Sequence, residues 1–338
     1  MAEQTEMQGS LPINQIVQAY EMGHSALLLT GRSIHDFVVD EDRKLRPIIE
    51  SLRRALRSRF GMLTITYCIA QGLDWDSVLL SEPDRQLVER ALRAHQLLEI
   101  QPDQNELVRV IRGISSLCRT PTHGLKWSDG RDMRFAFLFM FGEHLTPGSL
   151  TNGTQTDNQI VATELSYLTA HSLALRSSGN LVIFQGRSGL MDDLVAGALH
   201  EIYLQQPDLP EKKGFLALAS SLYEKASFDQ GITPESVAYL TTNTPNRGLE
   251  ALLRASHRTG NRISAKQLAE QKNRDVEEIS EHTLTVLETQ SVEKVHLGGR
   301  NVRIPLETLD RFGKALAEGS PFMPRSHFKT LYNGLNLR

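Results

Sequence analysis

Apolar and polar positions follow two kinds of pattern over the first 210 residues. Short continuous apolar runs predict buried β-strands, and longer stretches with apolar residues every three or four positions predict amphipathic helices. The runs that predict strands are 26–29, 62–69, 135–141, 180–185 and 200–204. The stretches that predict helices are 11–22, 41–60, 84–98, 105–118, 159–175 and 190–199. Strands and helices that alternate at this spacing are typical of an α/β fold with a parallel sheet of about five strands.

The pattern changes after Pro210, where only helical periodicity remains. The predicted helices are 211–226, 233–240, 245–258 and 264–288, and the last begins with a capping box formed by Ser264 and Gln267. The segment 292–304 is interrupted by two glycines and predicts a hairpin or loop, followed by a helix at 306–316. The sequence therefore predicts a disordered N-terminus at 1–10, an α/β core at 11–210, a helical domain at 211–290 and a partly loose end at 291–338.

The strand predicted at Phe135–Phe141 has seven consecutive apolar residues and is the most distinctive of the set. Such a run is typical of a parallel strand that is buried on both faces, and it is too short to span a membrane. It ends at Gly142-Glu143-His144. Ligands of open α/β sheets bind at the carboxyl ends of the strands, so Glu143 and His144 are candidate catalytic acid and base. The alternative, that they only begin a solvated loop, stays open.

Net charge, cysteine content and the length of apolar runs argue against several classes of protein. The formal net charge is −3, which gives no general attraction to nucleic acid or to an anionic membrane. The predicted helix 41–60 does carry a basic face, with Arg53, Arg54, Arg57 and Arg59; this face is either a nucleic-acid patch or a solvated helix surface. Two isolated cysteines, Cys68 and Cys118, and no metal-like spacing of histidines argue against a disulfide framework and a zinc site. With no apolar run of 18 residues and no leader peptide, we expect a cytoplasmic protein without a membrane span.

Phosphate-binding motifs are incomplete. The pattern GxxxxGK[ST], which cradles phosphates with backbone N–H groups and a lysine, does not occur. After the first predicted strand, where such a loop would lie, the sequence is Thr30-Gly31-Arg32-Ser33. The segment after the fourth predicted strand begins Gly186-Arg187-Ser188-Gly189; Arg187 could contact an anion, or the segment is only a turn. These residues, Thr30 to Ser33 and Arg187, are the candidates for cofactor binding.

Taken in order, these segments resemble a known family. The first strand Leu-Leu-Leu-Thr, a basic helix, a strand followed by Gln-Gly-Leu-Asp-Trp, then Phe-Leu-Phe-Met-Phe-Gly-Glu-His, Leu-Val-Ile-Phe-Gln-Gly-Arg and Leu-Pro-Glu are similar to the degenerate first domain of tandem AAA+ ATPases of the cyanobacterial and plastid type. The resemblance covers roughly residues 11 to 316. It implies a P-loop NTPase-like core and a helical lid, with Glu143 as the acid that polarises water and Gly142 in place of the magnesium-holding aspartate.

The resemblance implies a non-catalytic module that serves assembly or partner recognition. Because the family continues into a second domain with an intact phosphate loop, we expect either a longer or split protein or a separate ATPase partner, in a homo- or hetero-oligomer. ATP with Mg²⁺ is left open as a ligand, although no intact motif supports it. The alternatives are an α/β enzyme or ATPase that uses Glu143 and His144 on a nucleotide or phosphorylated ligand, and a nucleic-acid-binding regulator that uses the Arg53–Arg59 face.

Overall fold

The computed structural model describes residues 11–75, 80–98, 106–119, 125–146, 155–170 and 173–279. The chain forms two compact units, residues 1–279 and 280–338, and the described residues belong to the first. The predictions for 1–10, for the end of the helix at 264–288 and for 291–338 therefore lie outside the described residues.

A mostly parallel sheet forms the centre of this unit, which confirms the α/β class. The strands are β1 (Ala26–Gly31), β2 (Phe37–Val39), β3 (Leu45–Pro47), β4 (Met62–Cys68), β5 (Gly72–Trp75), β6 (Arg134–Met140), β7 (Leu181–Gln185) and β8 (His200–Leu204). Six of them form one sheet in the order β5-β4-β6-β7-β1-β8, while β2 and β3 form a separate antiparallel hairpin. All five predicted strands are present in the sheet.

The sixth strand of the sheet corrects the sequence prediction. The sequence pattern assigned residues 71–75 to no strand, but Gly72–Trp75 returns antiparallel beside β4. The turn that precedes it is closed by the N–H of Gln71, which donates to the carbonyl of Cys68 over 3.1 Å. Four residues of mixed polarity carry too little periodicity to indicate a strand before its partner is known.

Helices alternate with the strands along the chain, and among the described residues only helices follow the last strand, β8. They are α1 (Leu11–Glu21), α2 (Ile48–Phe60), α3 (Glu82–Ala94), α4 (Glu106–Arg119), α5 (Gly142–Leu145), α6 (Gln155–Ala170), α7 (Leu173–Ser178), α8 (Asp193–Ala196), α9 (Leu209–Leu222), α10 (Pro234–Leu240), α11 (Asn246–Thr259) and α12 (Ala265–Ile279). The helix predicted at 159–175 falls on α6 and the start of α7. At the start of α12, Ser264 and Gln267 exchange the hydrogen bonds of the expected capping box.

The helix predicted at 41–60 was wrong over its first seven residues. Leu45–Pro47 is a strand, and α2 begins only at Ile48. Proline disfavours helical backbone in the residue before it, so Arg46 is extended and pairs with Val38. The consequence is a hairpin, β2–β3, inserted between the end of β1 and the start of α2.

Alternation along β6 explains its continuous apolar run. Phe135, Phe137 and Phe139 belong to the hydrophobic core on one side of the sheet, whereas Ala136 and Leu138 belong to the core on the other side. A third core lies among α9–α12 and includes Phe215, Val237, Leu249 and Leu253; Phe37 and Leu45 of the hairpin pack against it. The hairpin thus brings the loop after β1 into contact with the C-terminal helices.

Candidate functional site

The carboxyl ends of β1, β6 and β7 bring most of the predicted site residues to one edge of the sheet. The N–H of Gly186, just after β7, donates to the carbonyl of Leu29 in β1 over 3.2 Å. The N–H of Arg187 donates to Glu143 Oε2 over 3.3 Å. Thr30, Glu143 and Arg187 therefore lie at neighbouring strand ends, as expected for residues that follow parallel strands.

Glu143 lies in the short helix α5, which starts where Phe141 takes a left-handed conformation with φ 56°. Its side chain is half-buried, and a Cβ at Gly186 would collide with Glu143 Oε2. Gly186 therefore allows the carboxylate to reach the backbone at the end of β7. One carboxylate oxygen is engaged there, so Glu143 links β6 to β7.

His144, the other predicted catalytic residue, is exposed. Its ring centroid lies 6.1 Å from that of the exposed Phe141, and its backbone N–H donates to the Phe141 carbonyl over 2.9 Å. The side chain of His144 is therefore exposed whereas that of Glu143 is half-buried, although the two residues are adjacent in sequence.

Gln185, the last residue of β7, is a feature of this edge that the sequence analysis passed over. Its backbone aligns with Leu29 of β1 and Met140 of β6. Its Oε1 atom is buried and has no hydrogen-bond partner among the described residues. A polar residue that ends an otherwise apolar strand is the signal that could have identified it.

The end of β1 is fixed by β8. Gly31 has φ +83°, and a Cβ there would lie 2.7 Å from the carbonyl oxygen of Leu204. The N–H of Arg32 donates to that same oxygen over 2.9 Å, and Thr30 Oγ1 donates to Glu201 Oε1 over 2.8 Å. Glycine is required where the backbone approaches so closely in a left-handed conformation.

The loop after β1 occupies the N-terminus of α2. The N–H of Ile48 donates to the carbonyl of Asp36, and the N–H of Ile49 donates to the carbonyl of Ile34, each over 2.8 Å. In a phosphate loop, free N–H groups at the start of the helix after the first strand bind the anion. Here the first two N–H groups of that helix already have partners from the chain itself.

Arg32, predicted as a cofactor-binding residue, is buried in a network of protein contacts. Its Nε lies 2.6 Å from Asp36 Oδ2, and its Nη1 lies 2.7 Å from Glu211 Oε1. Its Nη2 donates to the carbonyl of Phe37 over 2.9 Å. All three guanidinium nitrogens have protein partners, and Arg32 is only 1% exposed.

This network continues into the C-terminal helices. Asp36 Oδ1 accepts the backbone N–H of Arg247 over 2.7 Å, and Asn246 Nδ2 donates to the carbonyl of Phe37 over 2.8 Å. Lys212, next to Glu211 in the first turn of α9, is fully buried and donates to the carbonyl of Pro245 over 3.2 Å. We call Arg32, Asp36, Glu211, Lys212 and Asn246 the buried ion cluster.

Burial dominates the electrostatics of the cluster. It raises the pKa of Glu211, an effect that the charge of Arg32 partly offsets. It lowers the pKa of Lys212 to about 8, against the opposing attraction of Asp36. Desolvation penalises the charged form of either group, so burial in the cluster destabilises the ionised forms of Glu211 and Lys212. Sequence analysis identified Arg32 but missed its partners Asp36 and Glu211, because nothing local marks them.

The basic face of α2, either a nucleic-acid patch or a solvated helix surface by its sequence, is largely paired with acids. Four ion pairs are present, each measured from a guanidinium nitrogen to a carboxylate oxygen: Arg53 to Asp74 at 3.1 Å, Arg54 to Glu50 at 3.5 Å, Arg57 to Asp84 at 3.8 Å and Arg59 to Glu41 at 2.5 Å. Arg57 also stacks 3.6 Å over the centroid of the Trp127 ring. Because phosphate backbones are bound by unneutralised arginine and lysine, this pairing weakens the nucleic-acid alternative.

Two further properties of the described residues bear on the kind of site. Within 11–75, 80–98, 106–119, 125–146, 155–170 and 173–279, no three His, Cys, Asp or Glu side chains cluster as a metal ion would require. In the same ranges, no helix combines the length and the apolar character that crossing a membrane demands.

Comparison with known proteins gives no family. No family model matches the chain, and no curated protein is similar to it. Among solved structures, the chain is similar to one from the HORMA:CdnC:Trip13 complex of E. coli MS115-1, with 11% identity. The alignment covers 78% of this chain and 82% of that one, with a TM-score of 0.44. A similarity at this level carries no argument about function.

Proposed function

We propose that this chain is a non-catalytic AAA+-like module that acts in assembly or partner recognition, with the helices α9–α12 as its lid. The observation that carries the proposal is the occupied N-terminus of α2, where carbonyls of Asp36 and Ile34 take the place that a phosphate would need. The proposal further holds that the module works with an active AAA+ ATPase domain or subunit in a homo- or hetero-oligomer.

Strand order supports the AAA+-like part of the proposal. β1 lies between β7 and β8, while the chain leaves β1 for α2 and then enters β4 on the far side of β7. A first strand placed between the fourth and the last of five parallel strands is the arrangement of the AAA+ core. It also makes the carboxyl end of β1 the crevice in which ligands of open α/β sheets bind. The position is therefore appropriate for a nucleotide, but its residues are not.

A nucleotide could bind at the start of α2 only by displacing contacts that the loop after β1 already makes. Phosphate binding at α2 would require the 32–36 loop to leave, which separates Arg32 from Asp36 and Glu211 and breaks the hydrogen bonds of Ile48 and Ile49. Breaking a buried ion pair costs about 3–5 kcal/mol. A penalty of about 5 kcal/mol would weaken nucleotide binding by more than about a thousandfold.

Glu143 has a structural role in this proposal. In an active ATPase of this fold the acid after the third core strand polarises a water, and a preceding aspartate holds magnesium. Here Gly142 lacks a side chain that could hold a metal, and Glu143 Oε2 accepts the N–H of Arg187. Glu143 would therefore stabilise the junction between β6 and β7 rather than act on a water.

Calorimetric titration of the purified chain with ATP and Mg²⁺, followed by a phosphate-release assay on the same sample, tests the proposal. We expect neither saturable heat nor release of phosphate. Micromolar binding together with turnover that Glu143→Gln abolishes would overturn it, and would favour the enzyme alternative instead.

A further inference from the structure

Four large apolar side chains are exposed at the carboxyl edge of the sheet. They are Ile69, exposed by 52%, Phe141 by 45%, Leu190 by 49% and Leu194 by 68%. Ile69 directly follows β4, Phe141 directly follows β6, and the two leucines lie in the segment after β7. Since β4, β6 and β7 are neighbours in the sheet, these residues come from three adjacent strand ends. We call the four residues the apolar rim.

The register of the sheet places Ile69 beside Phe141. Tyr67 of β4 aligns with Phe139 of β6, and the two exposed residues are each two positions further along their chains. Adjacent strands lie about 5 Å apart. The aligned rings meet edge to face with centroids 6.2 Å apart, and Phe139 stacks on Phe184 of β7 at 4.8 Å. The apolar rim therefore lies directly beyond a buried aromatic row that crosses the same three strands.

The segment after β7 is packed against the end of β6. A Cβ at Gly142 would lie 3.1 Å from the Sδ of Met191, which is only 1% exposed. Phe141 directly precedes the glycine, and Leu190 directly precedes the methionine. Leu194 is three residues beyond the methionine, in α8. The exposed members of the apolar rim thus flank a buried contact that joins their two segments.

The backbone of Phe141 is left-handed, with φ 56° and ψ 57°. A bulky L-residue is strained in this conformation, and strained residues of this kind cluster at functional sites. Burial does not compensate the strain, since the ring is nearly half exposed. The ring of His144, with its centroid 6.1 Å away, is exposed as well. The strained backbone therefore holds an aromatic ring at the surface of this edge.

The charges around the apolar rim are mainly negative. Glu143, Asp192 and Asp193 supply three carboxylates and Arg187 one guanidinium, which gives a net charge of −2 (1 − 3). The first two carboxylates accept backbone N–H groups, which do not neutralise them. A partner with complementary charge is therefore basic.

We propose that the apolar rim is a docking surface for an amphipathic helix of a partner protein. The contacting face of that helix carries leucine or aromatic residues, with lysine or arginine beside them. Three neighbouring strand ends span about 10 Å, which two helical turns with apolar residues at i, i+3 or i+4, and i+7 would match. A second copy of this chain is a poorer occupant, because pairing through the same surface would bring two acidic surfaces together.

Fluorescence anisotropy with a labelled synthetic peptide tests the docking surface on the full chain. The peptide has about 16 residues, enough to form a helix, with leucines along one face and lysines on the other. We expect saturable micromolar binding at about 0.15 M salt. A matched peptide with glutamate in place of lysine should bind at least about tenfold more weakly.

Two substitutions locate the binding, each with a matched control at the end of α9. Leu194→Ser should weaken the lysine peptide by about tenfold, since it removes one leucine contact, and Asp193→Lys by about fivefold, since it reverses one charge. The controls are Leu222→Ser, at a side chain that is 57% exposed, and Glu224→Lys, at an exposed acid. Each should change the affinity by less than about twofold. All four positions are exposed, so we expect the variants to fold.

Three outcomes would overturn the docking proposal: no saturable binding of the lysine peptide, equal binding of the glutamate peptide, or equal losses in the variants and their controls. Sedimentation of the chain alone should show no dependence on concentration. Dimers that Leu194→Ser dissociates would identify a second copy as the occupant and overturn the partner helix.

This inference rests on the partner-recognition part of the function proposed above. The two can fail separately. ATP binding with turnover would overturn the non-catalytic part of that function and leave the peptide affinities unchanged, whereas loss of peptide binding would leave the ATP titration unchanged.

Discussion

Arg32 Nη1 lies 2.7 Å from Glu211 Oε1, and this contact joins the loop after β1 to the first turn of α9. The loop and the helix are 179 residues apart in sequence. Through Asp36 and Asn246 the same network reaches the start of α11. The buried ion cluster therefore fastens the C-terminal helices to the sheet at the position where, in the proposed fold, a nucleotide would lie.

Arg32→Met should be strongly destabilising. The substitution keeps most of the side-chain volume but leaves the carboxylate of Asp36, which is fully buried, without its cation. An uncompensated buried charge costs about 3–5 kcal/mol, and we expect a loss of that size in the free energy of unfolding measured in urea.

The matched control for this prediction is Arg85→Met. Arg85 pairs with Glu82 on the surface of α3, and both side chains are exposed. Exposed pairs contribute about 0–1 kcal/mol, so this variant should change stability little. Equal effects of the two substitutions would mean that the buried ion cluster does not stabilise the fold.

Lys212 should make stability depend on alkaline pH. Its folded pKa of about 8 is below the ordinary value of 10.5. Between these values the folded state has released a proton that the unfolded state still binds, so the free energy of unfolding should rise with pH over this window. This difference between the folded and the ordinary pKa corresponds to about 3 kcal/mol in the free energy of unfolding.

Urea unfolding of the wild type and Lys212→Met between pH 7 and pH 10.5 measures this contribution. The rise that belongs to Lys212 should be missing from the variant, while contributions from tyrosines and other lysines remain in both proteins. Parallel stability curves for the two proteins would contradict a buried, titrating Lys212.

The sheet could be predicted from sequence because its strands carry strong local signals. Residues 135–140 are continuously apolar since β6 is buried on both faces, and the run alone indicates this, whereas Phe141 at the end of the predicted strand is 45% exposed. The shorter strands β2, β3 and β5 have three or four residues each, and their partners, rather than their own pattern, make them strands. Pro47 was the local signal that could have limited the predicted helix at 41–60.

The site was less predictable than the sheet, for a physical reason. Neighbouring strand ends could be expected to bring Thr30, Glu143 and Arg187 to one edge, because parallel strands share that edge. Whether Arg32 faces a ligand or a carboxylate depends on Glu211, which only the packing of α9 brings near. Long-range ion pairs leave no periodic trace in a single sequence, so the buried ion cluster became apparent only in the folded chain.

Gly31→Ala should be destabilising by about 1–3 kcal/mol. A Cβ at this position would lie 2.7 Å from the carbonyl oxygen of Leu204 and from a ring carbon of Tyr203, in a left-handed conformation with φ +83°. Alanine would have to strain the backbone or separate the end of β1 from β8. Thermal unfolding followed by circular dichroism measures the loss.

Gly214→Ala provides a control of opposite sign. Gly214 lies inside α9, and a Cβ there would meet no heavy atom within 4 Å. Alanine in a helix interior is more favourable than glycine by about 0.5–1 kcal/mol, so this variant should be more stable than the wild type. If both substitutions were destabilising, the loss of stability in Gly31→Ala would reflect a general intolerance of a methyl group at glycine positions and not the contact of Gly31 with β8.

His200 should make stability fall in mild acid. Its ring stacks on that of His24, with centroids 3.8 Å apart and planes inclined by 9°. Desolvation and the neighbouring charge of His24 lower the pKa of His200 in the folded state. The unfolded chain therefore binds a proton more readily, and the free energy of unfolding should decrease as pH falls from about 7 to about 5. In His200→Asn this decrease should be smaller than in the wild type. His144→Asn should retain it, since both histidines are exposed but the ring beside His144 is that of Phe141 and not of a second histidine. Unfolding curves in urea at a series of pH values measure the slopes, and an unchanged slope in His200→Asn would exclude the stacked pair as the source.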